Sequence, residues 1–355
     1  MSKVVALEEY AKQRARRIGF FKKYGITVLF LAPFLLAFIV FFVVPLFYGI
    51  YISLTNFQYG KPGVETFNSF SWYRMLFDKN YLPGVYKTFW LAFIHTIIFA
   101  VIMVPVAIIL PLGLAILVNR KPPGFKLFRS LIYLPSIVPL TAAGTIFSML
   151  FLPAKDAGLL AGMFGINKMW FIDTWFTLNL FGTEIEVAYA WIPVFLMCLW
   201  GGWGGNFIIL SAGLQNVPKH LYEACDIDGC SGWKRILSVT LPGIKPQLVL
   251  CLFTTIIGYL GLYGQNFVLS NGGPTIAALS SMPAGGKTST LMYFIQDIVA
   301  NVPAFKTKLY GLGAAASLVF ATFTGIISGI QMYLTRDKKT GTKISEAYKK
   351  WQKVR

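Results

Sequence analysis

Six long stretches without a charged residue, at about 27–54, 88–118, 130–152, 187–212, 246–270 and 309–334, alternate along the chain with shorter charged segments. Each can cross a hydrocarbon core of about 30 Å, which takes roughly 20 apolar residues in a helix. Backbone groups find no water to bond in lipid, so a spanning stretch must be a helix or part of a closed barrel. The period-2 alternation of barrel strands is not evident. The pattern predicts an all-α integral membrane protein with six transmembrane helices.

Composition agrees: 56% of the 355 residues are hydrophobic and 13% are charged, far from the balance of a soluble domain. Charge then sets the orientation. Lys and Arg number 32 against 14 Asp and Glu, and with the N-terminus inside, segments 1–25, 119–129, 213–245 and 335–355 hold 23 of the 32 cations. The acidic residues divide evenly, so the bias lies in the cations alone and predicts N-in, C-in topology. The chain divides into a basic cytoplasmic tail (1–25), a membrane domain (26–335) with a cytoplasmic loop at 213–245, and a second basic tail (336–355). Arg14, Arg16, Arg17, Lys22 and Lys23 in front, and Lys349, Lys350, Lys353 and Arg355 behind, read as anchors on anionic membrane lipid, not as a nucleic-acid surface. The apolar run from Thr27 to Leu54 is too long for a signal peptide and lacks a small-x-small cleavage site, so it counts as the first span.

Local punctuation refines the spans. Pro33 and Pro45 lie in the first, Pro105 and Pro111 in the second, and Pro135 and Pro139 bend the third, either to line a pathway or only to pack. Tyr59, Trp72, Tyr73 and Tyr81 suit an outer interface. Segment 153–186, with Trp170, Asp173, Trp175, Glu184 and Glu186, has room for a short interfacial helix and an external partner. Gly201-Gly202-Trp203-Gly204-Gly205 permits close helix approach in the fourth span. Cys198, Cys225, Cys230 and Cys251 all fall in the membrane or on its cytoplasmic side, so no structural disulfide is expected, and Cys225, Cys230 and His220 make a poor zinc set. His95, alone in the second span, reads as a packed polar residue in preference to a proton carrier.

The loop between the fourth and fifth spans is the most informative segment. Pro218 suits a first helical turn and Gly229 after Asp228 suits a helix stop, so two short helices with a tight bend are expected. Trp233, Ile236 and Leu237 share a face of the second, which runs into Leu241-Pro242 and Pro246. An acidic residue early in a helix, or an Asp-Gly turn, is unremarkable alone. Glu223-Ala224, Asp228-Gly229, Ile236 and Leu241-Pro242, in this order and spacing, resemble the cytoplasmic EAA motif of permease subunits of bacterial ABC importers. The sequence departs from that motif at Cys225 and Cys230, where the family usually has Ala, but each replacement is small for small.

Further segments extend the resemblance to carbohydrate permeases of the maltose-uptake type: Phe128-Arg129-Ser130 with Leu134-Pro135 and Pro139, Val217-Pro218 with Leu221-Tyr222-Glu223, and the turn Asn271-Gly272-Gly273-Pro274. Tyr310-Gly311 with Ala314-Ala315-Ala316 is similar too, while the N-terminal third matches loosely and the extra N-terminal helices and large external loop of some members are not seen. The resemblance implies a non-catalytic, multi-pass permease of the bacterial cytoplasmic membrane, paired with a second homologous permease. Two cytoplasmic ATP-binding subunits would dock on Glu223, Ala224, Asp228 and Gly229, and an extracellular or periplasmic sugar-binding protein would deliver the substrate. ATP and Mg would be used by the partner ATPase, with no cofactor or metal on this chain. Gly286-Lys287-Thr288 is a false Walker A match, since Ser281 stands where the pattern needs Gly.

A sugar site needs flat aromatic faces beside amides or hydroxyls. Tyr259 and Tyr263, four apart and so on one face, with Gln265 and Asn266, offer these in the fifth span, although an interfacial belt with buried hydrogen bonds accounts for the same residues. No acidic residue lies deep in a span, which disfavours proton or sodium coupling and a self-contained secondary transporter. The two histidines, His95 and His220, lie too far apart in sequence to suggest a membrane-embedded enzyme. A non-sugar solute such as glycerol phosphate stays open.

Overall fold

One long helix organises the rest. In the computed structural model, which describes residues 25, 27–58, 66–152, 158–165, 168–180, 183–276, 279, 282, 285–300 and 309–335, helix α3 (Pro83–Asn119) runs for 37 residues, about 55 Å. Two elements precede it, α1 (Thr27–Leu54) and the short α2 (Ser71–Phe77). Tyr59 and both basic tails, Gly25 apart, lie outside the described residues.

Beyond α3 come α4 (Phe125–Tyr133), a 3-10 turn (Leu134–Ile137) and α5 (Leu140–Leu150). There follow α6 (Leu159–Phe164), strands β1 (Thr174–Leu180) and β2 (Thr183–Ala188), and α7 (Trp191–Gln215). Helices α8 (Lys219–Ile227), α9 (Gly232–Gly243), α10 (Lys245–Leu260), α11 (Gly264–Ser270), α12 (Leu291–Ala300) and α13 (Tyr310–Thr335) complete the chain. Among the described residues α1, α3, α7 and α13 are each long and apolar enough to cross a membrane, and two bent helix pairs raise the number of crossings to as many as six.

Four apolar clusters among the described residues are strung along α3, the smallest joining Leu91 to Ile276 and Leu279. Val85, Phe89 and Ala92 pack with Leu76, Leu291, Phe294 and Leu312; Phe99 and Met103 with Phe147, Val194 and Met197; Ala115 and Val118 with Phe207, Leu210, Leu214 and Ile244. Helix α1 is peripheral, with Leu29 73%, Phe30 81% and Phe41 80% exposed, which is tolerable only where the solvent is lipid.

Proline has opposite consequences in two helices. In α3 Pro111 does not break the helix, but it supplies no N–H to the carbonyl of Ala107 four residues back. Asn206 of α7, itself buried, donates from Nδ2 to that carbonyl at 2.9 Å and to Thr255 Oγ1 of α10 at 2.9 Å, so three helices meet at one polar point. In the third span the helix does stop. Val138, held extended before Pro139, separates the segment Phe125–Ile137 from α5 by a 96° bend, so the expected kinked span at 130–152 is a broken pair. The turn fits against α7 because residue 204 is glycine: a Cβ there would lie 3.0 Å from Ser136 Cβ and 3.2 Å from Tyr133 Cδ2.

Two expectations are corrected. The chain is not wholly α: between α5 and α7 lie the short helix α6 and an antiparallel hairpin in which Leu178 pairs with Ile185 and Thr177 with Glu186. Thr, Trp, Phe, Ile and Val give these two strands the composition that suits a pleated, half-buried surface. The fifth span is not one helix over 246–270. It ends at Leu260 and resumes as α11 at Gly264, and Thr290 Oγ1 donates to the freed carbonyl of Leu262 at 2.6 Å.

Replacing Asn206 with Leu strips the Ala107 carbonyl of its donor inside the bundle, with an expected loss of about 1–3 kcal/mol. A melting temperature measured in detergent should fall for Asn206→Leu and fall less for Thr255→Val, which keeps the Ala107 bond. Equal melting temperatures for wild type and Asn206→Leu would contradict the assignment.

Candidate functional site

Two regions carry the residues singled out by sequence, one at each end of the bundle. At the first, Pro218 caps α8 and the helix starts at Lys219, one residue later than the proline suggested. It stops at a Schellman turn: Gly229 takes φ +67°, its N–H bonds the Asp226 carbonyl at 3.1 Å, and the Cys230 N–H bonds the Cys225 carbonyl at 2.9 Å. Ser231 then caps α9, its Oγ accepting from the Lys234 N–H at 3.3 Å. Two short helices with a tight bend are present as expected.

The turn also corrects the cysteine reading, because Cys225 and Cys230 form a disulfide with their Cα atoms 5.3 Å apart. Compartment and spacing gave no reason to expect it. The Schellman turn does, since it brings the side chains three from the helix end and just past the turn together. Cys198 and Cys251 are buried and free. Among the described residues no group of three His, Cys, Asp or Glu is placed to hold a metal ion.

Side chains divide sharply about this helix pair. Cys225 is buried, and Tyr222 reaches Thr240 with its hydroxyl 3.3 Å from Thr240 Oγ1. Glu223, Ala224, Asp228 and Gly229 are exposed. Around them lies an apolar surface of Leu221, Ile227 (87% exposed), Trp233 (77%) and Leu237 (61%). Arg235 pairs with Asp226 across the bend and joins the two helices. Ile236 is half-buried on the inner side, and Leu241 and Pro242 lead through buried Ile244 into α10, which leaves α9 at 77°.

At the other end, Tyr259 and Tyr263 do not share a helix face. The break after Leu260 sends Tyr259 toward Phe99, ring centroids 5.8 Å apart, and Tyr263 onto Phe267, 5.5 Å apart. Both tyrosines and Gln265 keep partial exposure. Asn266 is fully buried: its Nδ2 donates to the Thr288 carbonyl at 2.5 Å, and its Oδ1 accepts from Ser270 at 2.7 Å and Thr288 at 3.1 Å. That amide is fully buried and its bonds fasten the segment at Thr288 to α11, so it is closed to a solute.

The segment it holds is a strap, residues 285–290, that sequence reasoning missed. Gly272 and Gly273, with φ of +86° and +80°, turn the chain so that the Thr288 N–H reaches the Gly272 carbonyl at 3.0 Å and the Lys287 N–H reaches the Pro274 carbonyl at 2.9 Å. Lys287 Nζ pairs with Glu186 at 2.7 Å and also bonds Thr174, tying strap to hairpin. His95 Nδ1 meets the Ser289 carbonyl at 3.1 Å, and Trp191 Nε1 donates to the Lys287 carbonyl at 3.1 Å. The one signal in sequence was Thr288-Ser289-Thr290, three hydroxyl residues, all fully buried, just ahead of an apolar helix.

Residues 107–340 match the family described as the binding-protein-dependent transport system inner membrane component. The arabinooligosaccharides transport system permease protein AraP of Bacillus subtilis is 34% identical over 260 residues, 73% of this chain and 76% of the relative. The lactose transport system permease protein LacF of Rhizobium radiobacter is 29% identical over 71% of this chain and 77% of its own length. A chain of a bacterial alginate ABC transporter, solved in complex with an alginate pentasaccharide-bound periplasmic protein, shares the fold with a TM-score of 0.65 at 16% identity, over 90% of this chain and 96% of that one. The chain belongs to the family of binding-protein-dependent transport system inner membrane components and is a multi-pass permease of the cytoplasmic membrane.

Proposed function

We propose that this chain is one of two homologous permease subunits of an ATP-driven importer for a sugar or oligosaccharide. It would cross the membrane six times, counting each bent pair as one crossing, with both termini and the 213–245 loop in the cytoplasm. The observation that carries the reading is the exposed helix pair α8–α9, which combines the ordered motif residues with an uncovered apolar surface. A surface holding Ile227, Trp233 and Leu237 needs a protein cover, and two cytoplasmic ATP-binding subunits, one per permease, supply it. Glu223 and Asp228 then pair with cations on the ATPase, whose bound ATP and Mg do the chemistry.

The helix pair acts as a rigid lever. The Schellman turn, the Asp226–Arg235 pair and the Tyr222–Thr240 contact hold its halves together, and the junction at Ile244 passes its displacement to α10. At the outer end, the turn Gly272-Gly273-Pro274 with its strap faces an external sugar-binding protein, and Tyr259, Tyr263 and Gln265 are the candidates for contact with the passing solute. The carbohydrate reading draws on relatives named for arabinooligosaccharide and lactose transport. The basic tails rest on anionic lipid, and no nucleic acid is involved.

Purified with its partners, the wild-type complex should retain an ATP-binding subunit and lose it in Glu223→Lys and in Gly229→Asp. Unchanged assembly and uptake in both variants would sink the coupling role. A panel of purified arabinooligosaccharides, lactose and maltooligosaccharides, each with the cognate binding protein, should include one that stimulates ATP hydrolysis. A complex that assembles but answers to none of them would refute the sugar reading alone. A third measurement addresses the lever. Forcing a β-branched side chain into the left-handed conformation costs about 1–2 kcal/mol, so Gly229→Val should speed amide hydrogen exchange at Cys230 by roughly tenfold. Gly229→Asn should change it little.

A further inference from the structure

The bond between Cys225 and Cys230 closes the turn from α8 to α9, in the loop that the proposed topology puts in the cytoplasm. Soluble thiols keep cysteines reduced in that compartment, and the disulfides found there are characteristically transient. The turn does not need the bond. Two backbone hydrogen bonds close it already, from the Cys230 N–H to the Cys225 carbonyl at 2.9 Å and from the Gly229 N–H to the Asp226 carbonyl at 3.1 Å. The Cα atoms, 5.3 Å apart, are therefore held in place when the sulfurs part, and the two thiols stay within reach of each other. Their burial differs: Cys225 is 5% exposed on the inner side of α8, whereas Cys230 is partly exposed. Among the described residues no third His, Cys, Asp or Glu joins the pair to hold a metal ion.

We propose that Cys225 and Cys230 form a reversible dithiol–disulfide site that sets the stiffness of the helix pair, with soluble thiols as its reductant and hydrogen peroxide as its oxidant. In reduction, the thiolate of a low-molecular-weight thiol bonds the Cys230 sulfur, the S–S bond breaks, and Cys225 leaves and takes up a proton. A second thiol then displaces Cys230, so two thiol molecules depart as one disulfide and the chain gains two S–H groups. In oxidation, the Cys230 thiolate takes one oxygen from the peroxide to become a sulfenic acid, and the hydroxide released picks up a proton. The Cys225 thiol displaces that oxygen as a second water and restores the bond. With the bond closed, the last turn of α8, which carries Ile227 and Asp228, is tied covalently to the start of α9. With it open, hydrogen bonds alone hold the turn, and the helix pair passes less of each ATPase movement to α10. The inference deepens the reading of α8–α9 as a cytoplasmic lever for an ATPase and rests on it.

The test takes the assembled complex through mixtures of reduced and oxidised glutathione and counts thiols by alkylation and mass spectrometry under native conditions. Two thiols should appear together at Cys225 and Cys230, by way of a glutathione adduct on Cys230, and disappear with hydrogen peroxide. Cys198 and Cys251, free and buried, should stay unlabelled. Amide hydrogen exchange at Cys230 should quicken roughly tenfold on reduction, the effect of opening a crosslink across so short a loop. Solute imported per ATP hydrolysed should fall with it. The double variant Cys225→Ala, Cys230→Ala should hold both readings at their reduced values in every glutathione mixture. A bond that opens only after denaturation is a permanent brace and overturns the proposal, as does a pair that opens and closes without changing exchange or solute per ATP. A response to glutathione that persists in the double variant also overturns it. Should that variant fail to fold, oxidised and reduced wild type decide the matter alone. A wild-type complex that holds no ATP-binding subunit refutes the docking reading instead, and the thiol count and exchange rate on the permease then decide the chemistry.

Discussion

A carbonyl that proline deprives of its helical partner cannot be left bare in lipid, and the centre of this protein is arranged around that requirement. Pro111 frees the Ala107 carbonyl, and the bundle answers with Asn206 on α7, which also takes hold of Thr255 on α10. The three helices that meet there also bound the cluster of Ala115, Val118, Phe207, Leu210, Ile244 and Cys251. Hydrophobic burial gives little net drive between helices already in lipid, so packing and a directional bond of this kind set their mutual register. The same rule recurs at the break after Leu260, where Thr290 serves the Leu262 carbonyl, and in the strap, where His95, Trp191 and Asn266 each serve another.

The result is a molecule with a firm middle and two different ends. At the α8–α9 end, short-range bonds hold a compact helix pair whose exposed side is polar at Glu223 and Asp228 and apolar at Ile227, Trp233 and Leu237. At the other end, a hairpin, a glycine turn and a strap are laced together by Lys287, Thr288 and Asn266. Helix α3 passes through every apolar cluster described between them, so the two ends are joined by a continuous packed path along the bundle.

What could be read in the sequence was what depends on neighbours in the chain. The helix pair followed from Pro218, Asp228-Gly229 and the spacing of Trp233 and Ile236, because caps and turns are settled within a few residues. The main spans followed from runs of apolar residues for the same reason. What stayed hidden required partners far along the chain. Nothing near Asn206 announces the proline 95 positions earlier whose vacancy it fills, and nothing near Leu262 announces Thr290. The apolar run of the fifth span continues through its break, so Tyr259 and Tyr263 looked like neighbours on one face until the packing around Phe99 and Phe267 separated them. The hairpin was missed because its strands are short and flanked by aromatic residues that equally suit an interfacial helix. The disulfide stayed hidden because a Schellman turn aims its two side chains through backbone geometry, which neither compartment nor spacing reveals.

Helix α1 adds a constraint of timing. Its one buried residue, Ser53, lies at its end, and its principal packing partner is α13, the last described helix. Among the described residues this apolar helix thus has little to rest on until α13 has been made. In the interval it must persist as a solitary helix in lipid, which its run of Phe, Leu, Ile and Val permits. The contact that closes the described bundle is therefore one between its first and last described helices, and a chain released before Tyr310 would leave α1 inserted but unclaimed.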